Sequence, residues 1–233
     1  MKRSLIAFTS ALLCANAAFA LDISGVWMPT AIGPTGERNR AWPATPPFRP
    51  EALAQLEEYR ANYNAVEDDA GRSCLPYGMP VQMLGTAQYP LEVIETDGRI
   101  TVLFELHNDA RRIHLDTKAH PAGLLPTFMG HSIGYWQDDQ LHVETVAVRS
   151  GGMPRPHGPR MKLTEVYRGI DGGESGPMLE LMMTLDDPDF YTEPFTMRQY
   201  FRRYDGLQMG EYFCSEDLWR LNYDNIDGEI PWR

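Results

Sequence analysis

The chain has 233 residues, 43% of them hydrophobic, and carries 21 basic against 32 acidic residues for a formal net charge of −11. An acidic excess of this size favours solubility through like charge. It also withholds the basic surface that a nucleic acid or an anionic membrane requires, so neither is an expected partner.

The first element in chain order is an export signal. Lys2 and Arg3 give a positive start, Leu5 to Leu13 a short apolar run, and Ala18-Phe19-Ala20 a small-x-small cleavage pattern. Cleavage before Leu21 leaves 213 residues, and losing Lys2 and Arg3 moves the net charge from −11 to −13. Neither the leader nor any later segment reaches the roughly 18 to 20 apolar residues of a membrane-spanning helix, so no span is expected. Cys14 follows the bulky Leu13 where a lipid-attachment signal has a small residue, which argues against lipidation. The expected location is periplasmic or secreted. Cys74 and Cys214 then form the one cysteine pair, and in an oxidising compartment an even pair predicts a disulfide.

Residues 21–233 are read as one domain: a wrapping loop and helix over 21–88, a main barrel over 89–214 and a tail over 215–233. Asp22 to Met28 is a short strand. Six Pro and two Gly between Pro29 and Pro50 preclude regular structure through most of that stretch. Pro50 opens a helix to about Val66, with Leu53, Leu56, Tyr59 and Tyr63 on its apolar side. Gly71 to Gly85 is again irregular.

From Tyr89 the chain reads as strands. Leu91 to Glu95 and Ile100 to Leu106 flank Asp97-Gly98, a hairpin signal because both residues tolerate positive φ. Further strands are expected at Arg111–Asp116, Ser132–Trp136, Leu141–Val148, Lys162–Gly169, Met178–Leu185, Phe195–Tyr204 and Gln208–Cys214. Eight to ten antiparallel strands joined by tight turns fit a barrel or a sandwich. Polar residues on both faces of several strands favour a single, mainly β barrel with a partly polar lumen and one N-terminal helix.

All six histidines fall between His107 and His157. His107 and His120 sit beside turn residues and are expected in solvent. Alternation along Arg111–Asp116 sets Arg112, His114 and Asp116 on one face: a cation for an anionic group, an imidazole for proton transfer and a carboxylate to orient it. Arg111 lies on the other face and is a further candidate for substrate binding. His131, between Gly130 and the strand that follows, is the best single candidate for a proton-transferring group. Tyr135, and Arg198 with Tyr200 on a late strand, are candidate binding residues. His131, His142 and Glu144 offer donors for a divalent metal. No Gly-x-Ser-x-Gly nucleophile, phosphate loop or dinucleotide fingerprint occurs, so no organic cofactor is expected.

Two resemblances arise at these residues. Gly25-Val26-Trp27 resembles the Gly-x-Trp signature of lipocalins and other calycins, which implies a barrel whose end is closed by the Trp under a late Arg, here Arg202 or Arg203. From about Pro90 to Thr196 the chain is similar to a widespread family of exported bacterial proteins of uncharacterised function. The matching pieces are Pro90-Leu91-Glu92-Val93-Ile94, Arg111-Arg112-Ile113-His114, His120-Pro121, Met129 to Gly134 and Tyr191-Thr192. That resemblance singles out Arg111, Arg112, His120 and His131, and its pattern has an apolar residue at the position of His142.

Three functions follow as expectations. The first is cofactor-independent acid/base chemistry, of lyase or isomerase type, on a small, partly apolar or aromatic molecule able to carry a carboxylate, with His131, His114, Arg112 and Asp116 as the catalytic group. The second is a lipocalin-like carrier or sensor. The third is a metal-dependent enzyme built on His131, His142 and Glu144.

Overall fold

The computed structural model describes residues 22–39, 41–64, 68, 74–84, 89–215 and 217. The export signal lies outside the described residues. Nine strands close into a barrel in chain order: β1 (Gly25–Thr30), β2 (Leu91–Thr96), β3 (Arg99–Phe104), β4 (Ala110–His114), β5 (His131–Gln137), β6 (Gln140–Val146), β7 (Lys162–Asp171), β8 (Pro177–Asp186) and β9 (Phe195–Arg203). Two helices lie outside the wall, α1 (Pro50–Asn62) and α2 (Val81–Leu84).

The strand number has a consequence. Neighbours that all run antiparallel alternate in direction, and a ring can close on that rule only with an even number of strands. Nine strands require a parallel contact, and it falls at β4–β5, where Ile113 pairs with Ser132 and His114 with Ile133. Every other neighbouring pair is antiparallel. A parallel pair cannot be joined by a hairpin and needs a long crossover. Residues 115–130 supply it, returning the chain along the wall from the end of β4 to the start of β5.

Alternation along the strands sends Ile100, Ile113, Leu141, Leu163, Leu181, Met183, Met197 and Phe201 into the barrel, each at most 1% exposed. Burial of such a side chain is worth roughly 1.5–3 kcal/mol, so the lumen is the core. It is also partly polar, as expected, because Arg111, Ser132, Thr145, Glu165 and Gln199 point into it and are buried. At one end Trp27 is 2% exposed, its indole N–H donates to the Ile23 carbonyl at 2.8 Å, and the Arg203 guanidinium sits 5.8 Å above its ring. Gly25 has φ +117°, and a Cβ there would lie 3.3 Å from that guanidinium. Gly, Trp and Arg thus form one closing unit, with Arg203 supplying the cation.

The Pro-rich segment wraps the β8–β9 side. Trp42 packs edge-on to Phe195 at 5.5 Å, Phe48 stacks on Tyr191 at 5.1 Å, and Asn39 donates to Gln199 at 2.8 Å. Helix α1 begins at Pro50, where the missing N–H costs nothing, and ends at Asn62 rather than Val66. It buries Ala52 and Leu56, one turn apart, while Leu53 and Tyr63 stay exposed, so its core face differs from the expected one. The expected irregular stretch 71–85 contains α2, which carries buried Gln82, Met83 and Leu84.

The expected strand Gln208–Cys214 does not form. That segment docks on the turn after β3 through side chains: Gly210 N–H donates to Glu105 at 2.6 Å, and Asn108 donates to the Tyr212 carbonyl at 2.7 Å. Side-chain groups, an acceptor from Glu105 and a donor from Asn108, satisfy the backbone there, so no ladder is needed. The Cys74–Cys214 disulfide fixes the segment across a separation of 140 residues. In the chain-entropy account, closing such a loop stabilises the fold by about 5 kcal/mol.

Candidate functional site

The crossover builds the site. On the outer face of the wall, β4 contributes Arg112 and His114, β5 contributes His131 as its first residue, and β6 contributes Glu144 opposite Ile133. Gly130 enters β5 with φ +67°, and a Cβ there would stand 2.7 Å from the Val146 carbonyl oxygen and from the Val148 side chain. Only glycine allows that approach, and the close approach sets where His131 begins its strand.

The imidazoles of His114 and His131 lie stacked, 5.0 Å between centroids and 12° from parallel. His120, carried in by the crossover, turns its ring edge to His131, and the two Nδ1 atoms are 2.8 Å apart. The other nitrogen of His120 is buried without a well-aligned hydrogen bond, and Glu144 Oε1 lies 3.3 Å from it. The Lys162 ammonium holds the second oxygen of Glu144. A carboxylate only accepts, so the tautomer that suits every contact places N–H on His120 Nε2. His120 Nδ1 then accepts from His131 Nδ1–H. His131 Nε2 is left with a lone pair.

Partial burial, followed by the adjacent His120 and His114, lowers the His131 pKa below its ordinary 6.5. A neutral imidazole backed by a second imidazole and a carboxylate is the arrangement that activates a general base, because the charge gained on protonation spreads toward Glu144.

Two grooves open on either side of this cluster. The first, about 440 Å³, is lined by Arg112, His114 and His131 with Ala110, Thr127, Phe128, Met129 and Gly130. Arg149 lies 5.1 Å over the Phe128 ring and adds a second cation at that wall. The second, about 630 Å³, runs over Leu115, Ile133, Val143 and Val166 and is bounded by Tyr135, His142, Glu144 and Lys118. Both fall within the usual range of small-molecule sites. Glu144 borders one groove and His131 the other, with His120 between them.

The inner face of the same strands holds a different network. Arg111 is fully buried and donates to Ser132 Oγ at 3.1 and 3.2 Å, Thr145 Oγ1 at 2.8 Å, Glu165 Oε1 at 2.9 Å and Tyr167 Oη at 3.3 Å, with Glu165 Oε2 closing the ion pair. Burial alone pushes a guanidinium toward its neutral form. The Glu165 carboxylate outweighs that effect and holds Arg111 above its usual pKa. Burial and the same carboxylate push the Tyr167 hydroxyl up. Arg111 therefore has no edge left for a substrate, which removes it from the binding candidates and makes it a clasp across β4 to β7.

The remaining candidates divide. Arg112, His114 and His131 are brought together, on the outer rather than the lumenal face. Asp116 is not part of their row, because β4 ends at His114; its carboxylate accepts from Thr117 at 3.2 Å and packs over Gly98 in the β2–β3 turn. Tyr135 stacks on His142 at 5.2 Å in the second groove, four residues along β5 from His131 and so roughly 13 Å away. Arg198 and Tyr200 lie on β9, on the far side of the barrel, where Arg198 donates to Tyr200 at 3.3 Å and pairs with Glu180.

His142 stands opposite Tyr135 and His131 opposite Val146, too far apart to share one ion with Glu144. Among the described residues no three His, Cys, Asp or Glu side chains are grouped to hold a metal.

His107 and His120 are not in solvent as expected. His107 adopts φ +64° and its ring is enclosed edge-on by Tyr77 and Tyr212, each 5.2 Å away. His120, 15% exposed, is the link in the cluster. Glu144 was a candidate beside His131 from the sequence, but as a metal donor with His142; His120 as the link between them was signalled only by the His120-Pro121 match. No family model and no curated protein matches the chain, so the resemblances rest on the residues alone.

Proposed function

We propose that this protein is an exported enzyme of lyase or isomerase type, which takes a small, partly apolar carboxylate into the groove beside Arg112 and removes a proton from it through His131. The observation that carries this reading is the convergence of Arg112 and His131 on one groove, with His120 at 2.8 Å behind His131 and Glu144 at 3.3 Å from His120. Arg112 takes the carboxylate, and Phe128 and Met129 take the apolar part. His131 Nε2 accepts the proton, while His120 and Glu144 delocalise the resulting charge. Arg112 stabilises the developing negative charge on the substrate. No organic cofactor enters this sequence of steps. The leader and the disulfide support a periplasmic or secreted location.

The test is deuterium incorporation from D2O into a panel of carboxylates with an acidic C–H, followed by NMR. Protein-dependent exchange that is lost in His131→Ala is the expected result. Exchange equal in wild type and variant overturns the proposal.

A non-catalytic carrier is the second reading, favoured by the closure of the barrel end by Trp27 and Arg203. A wild type that binds these carboxylates and exchanges none of them selects it.

A further inference from the structure

The second groove serves neither Arg112 nor His131, and its walls have a chemistry of their own. Its floor is aliphatic, from Leu115, Ile133 and Val166. One side is a flat surface, the Tyr135 ring stacked on His142 and 8° from parallel, and Tyr135 stands 57% exposed with nothing aromatic on its outer side among the contacts of the described residues. At the other end lies Glu144, whose two oxygens face Lys162 and His120; Glu165, the other carboxylate along this groove, is fully buried and held by Arg111.

An aliphatic floor and an aromatic wall select a flat ring. A carboxylate at the end of the groove selects a hydrogen-bond donor on that ring, which an anionic ring substituent does not supply. The existing partners of Glu144 leave it an acceptor, because each carboxylate oxygen has more than one lone pair to offer.

We propose that this groove is a second small-molecule site, for a neutral phenol that stacks on Tyr135 and donates its hydroxyl to Glu144. Occupation draws on the same carboxylate that faces His120, so a bound phenol weakens the hold of Glu144 on the His120–His131 pair. The site is thus placed to modulate the first groove from behind. The binding inference rests on the walls of the second groove alone and stands whether or not His131 is a catalytic residue.

The probe is 2-naphthol, whose emission changes with its environment and protonation, titrated against the full chain. Saturable binding is expected, with 2-methoxynaphthalene, which lacks the donor, about 10-fold or more weaker, the size of a hydrogen bond to a charged acceptor. Glu144→Gln should erase most of that preference, and Tyr135→Ala, an exposed position with little bearing on folding, should weaken both ligands about equally. His131→Ala should lose the exchange reaction and keep naphthol binding, which separates failure of the two proposals. Absence of saturable binding overturns the inference. So does a preference for 2-naphthoate over 2-naphthol, or binding indifferent to both Tyr135→Ala and Glu144→Gln.

Discussion

The two faces of one piece of wall, β4 to β7, carry nearly the same residue types and do different things. Inside, Arg111 and Glu165 meet with Ser132, Thr145 and Tyr167, every donor of the guanidinium is used, and the charges are fixed by mutual attraction. Outside, one residue along each strand, Arg112, His131 and Glu144 sit half in water with imidazoles between them. A saturated, desolvated pair holds strands in register, whereas a half-satisfied, titratable row is free to move a proton. The inner clasp also has a mechanical reason for its place, since the β4–β5 contact it spans is the short parallel seam that nine strands impose.

The contrast breaks most sharply at His131. Replacing it with Ala should lower proton-transfer rate by roughly 10²–10⁴-fold while leaving stability within about 1 kcal/mol, measured by exchange kinetics and urea unfolding on the same preparation. Glu165→Gln should do the reverse in kind, costing about 3–5 kcal/mol of stability because it strands the Arg111 charge in the core. The double change Arg111→Met with Glu165→Leu should recover most of that loss, since it removes both charges together.

A third effect is acid sensitivity. His157 is 4% exposed and burial drops its pKa from 6.5 to about 4. The unfolded chain binds a proton there as pH falls below 6.5, and the folded chain refuses it until about 4. Stability present above pH 6.5 is therefore lost across that interval, by up to about 3 kcal/mol. Asp109, which burial pushes up to about 6, works in the opposite sense over the same range. The informative readout is accordingly the difference in slope between wild type and His157→Gln. The smallest effect belongs to the barrel end, where Arg203→Ala should cost about 0.5–1 kcal/mol of cation–π attraction to Trp27.

Most of the barrel was legible because its strands alternate and its turns carry Asp and Gly. Asp97-Gly98, with Gly98 at φ +74°, behaves as its sequence implies, and Gly25-Val26-Trp27 closes the end with Arg203. Alternation also separated Arg111 from Arg112 correctly. It could not say which face was the lumen, because a strand with polar residues on both sides gives the same pattern either way. That is why Arg111 read as a binding residue. His120 and Glu144 were illegible as partners because their meeting depends on the path of the 115–130 crossover, and no local pattern records where a loop returns. The expected strand at 208–214 failed for a related reason: Glu105 and Asn108, distant in sequence, satisfy its backbone.

The proposed proton transfer requires His131 to be a neutral base whose tautomer is fixed by His120 and Glu144. Imidazole ¹⁵N–¹H correlation NMR, followed across pH, reads this directly and needs no substrate. At pH 7 His131 is expected to carry its proton on Nδ1 with Nε2 unprotonated, to titrate below 6.5, and to lose its tautomer preference in Glu144→Gln. A His131 ring that is doubly protonated at pH 7, or protonated on Nε2 alone, would contradict it.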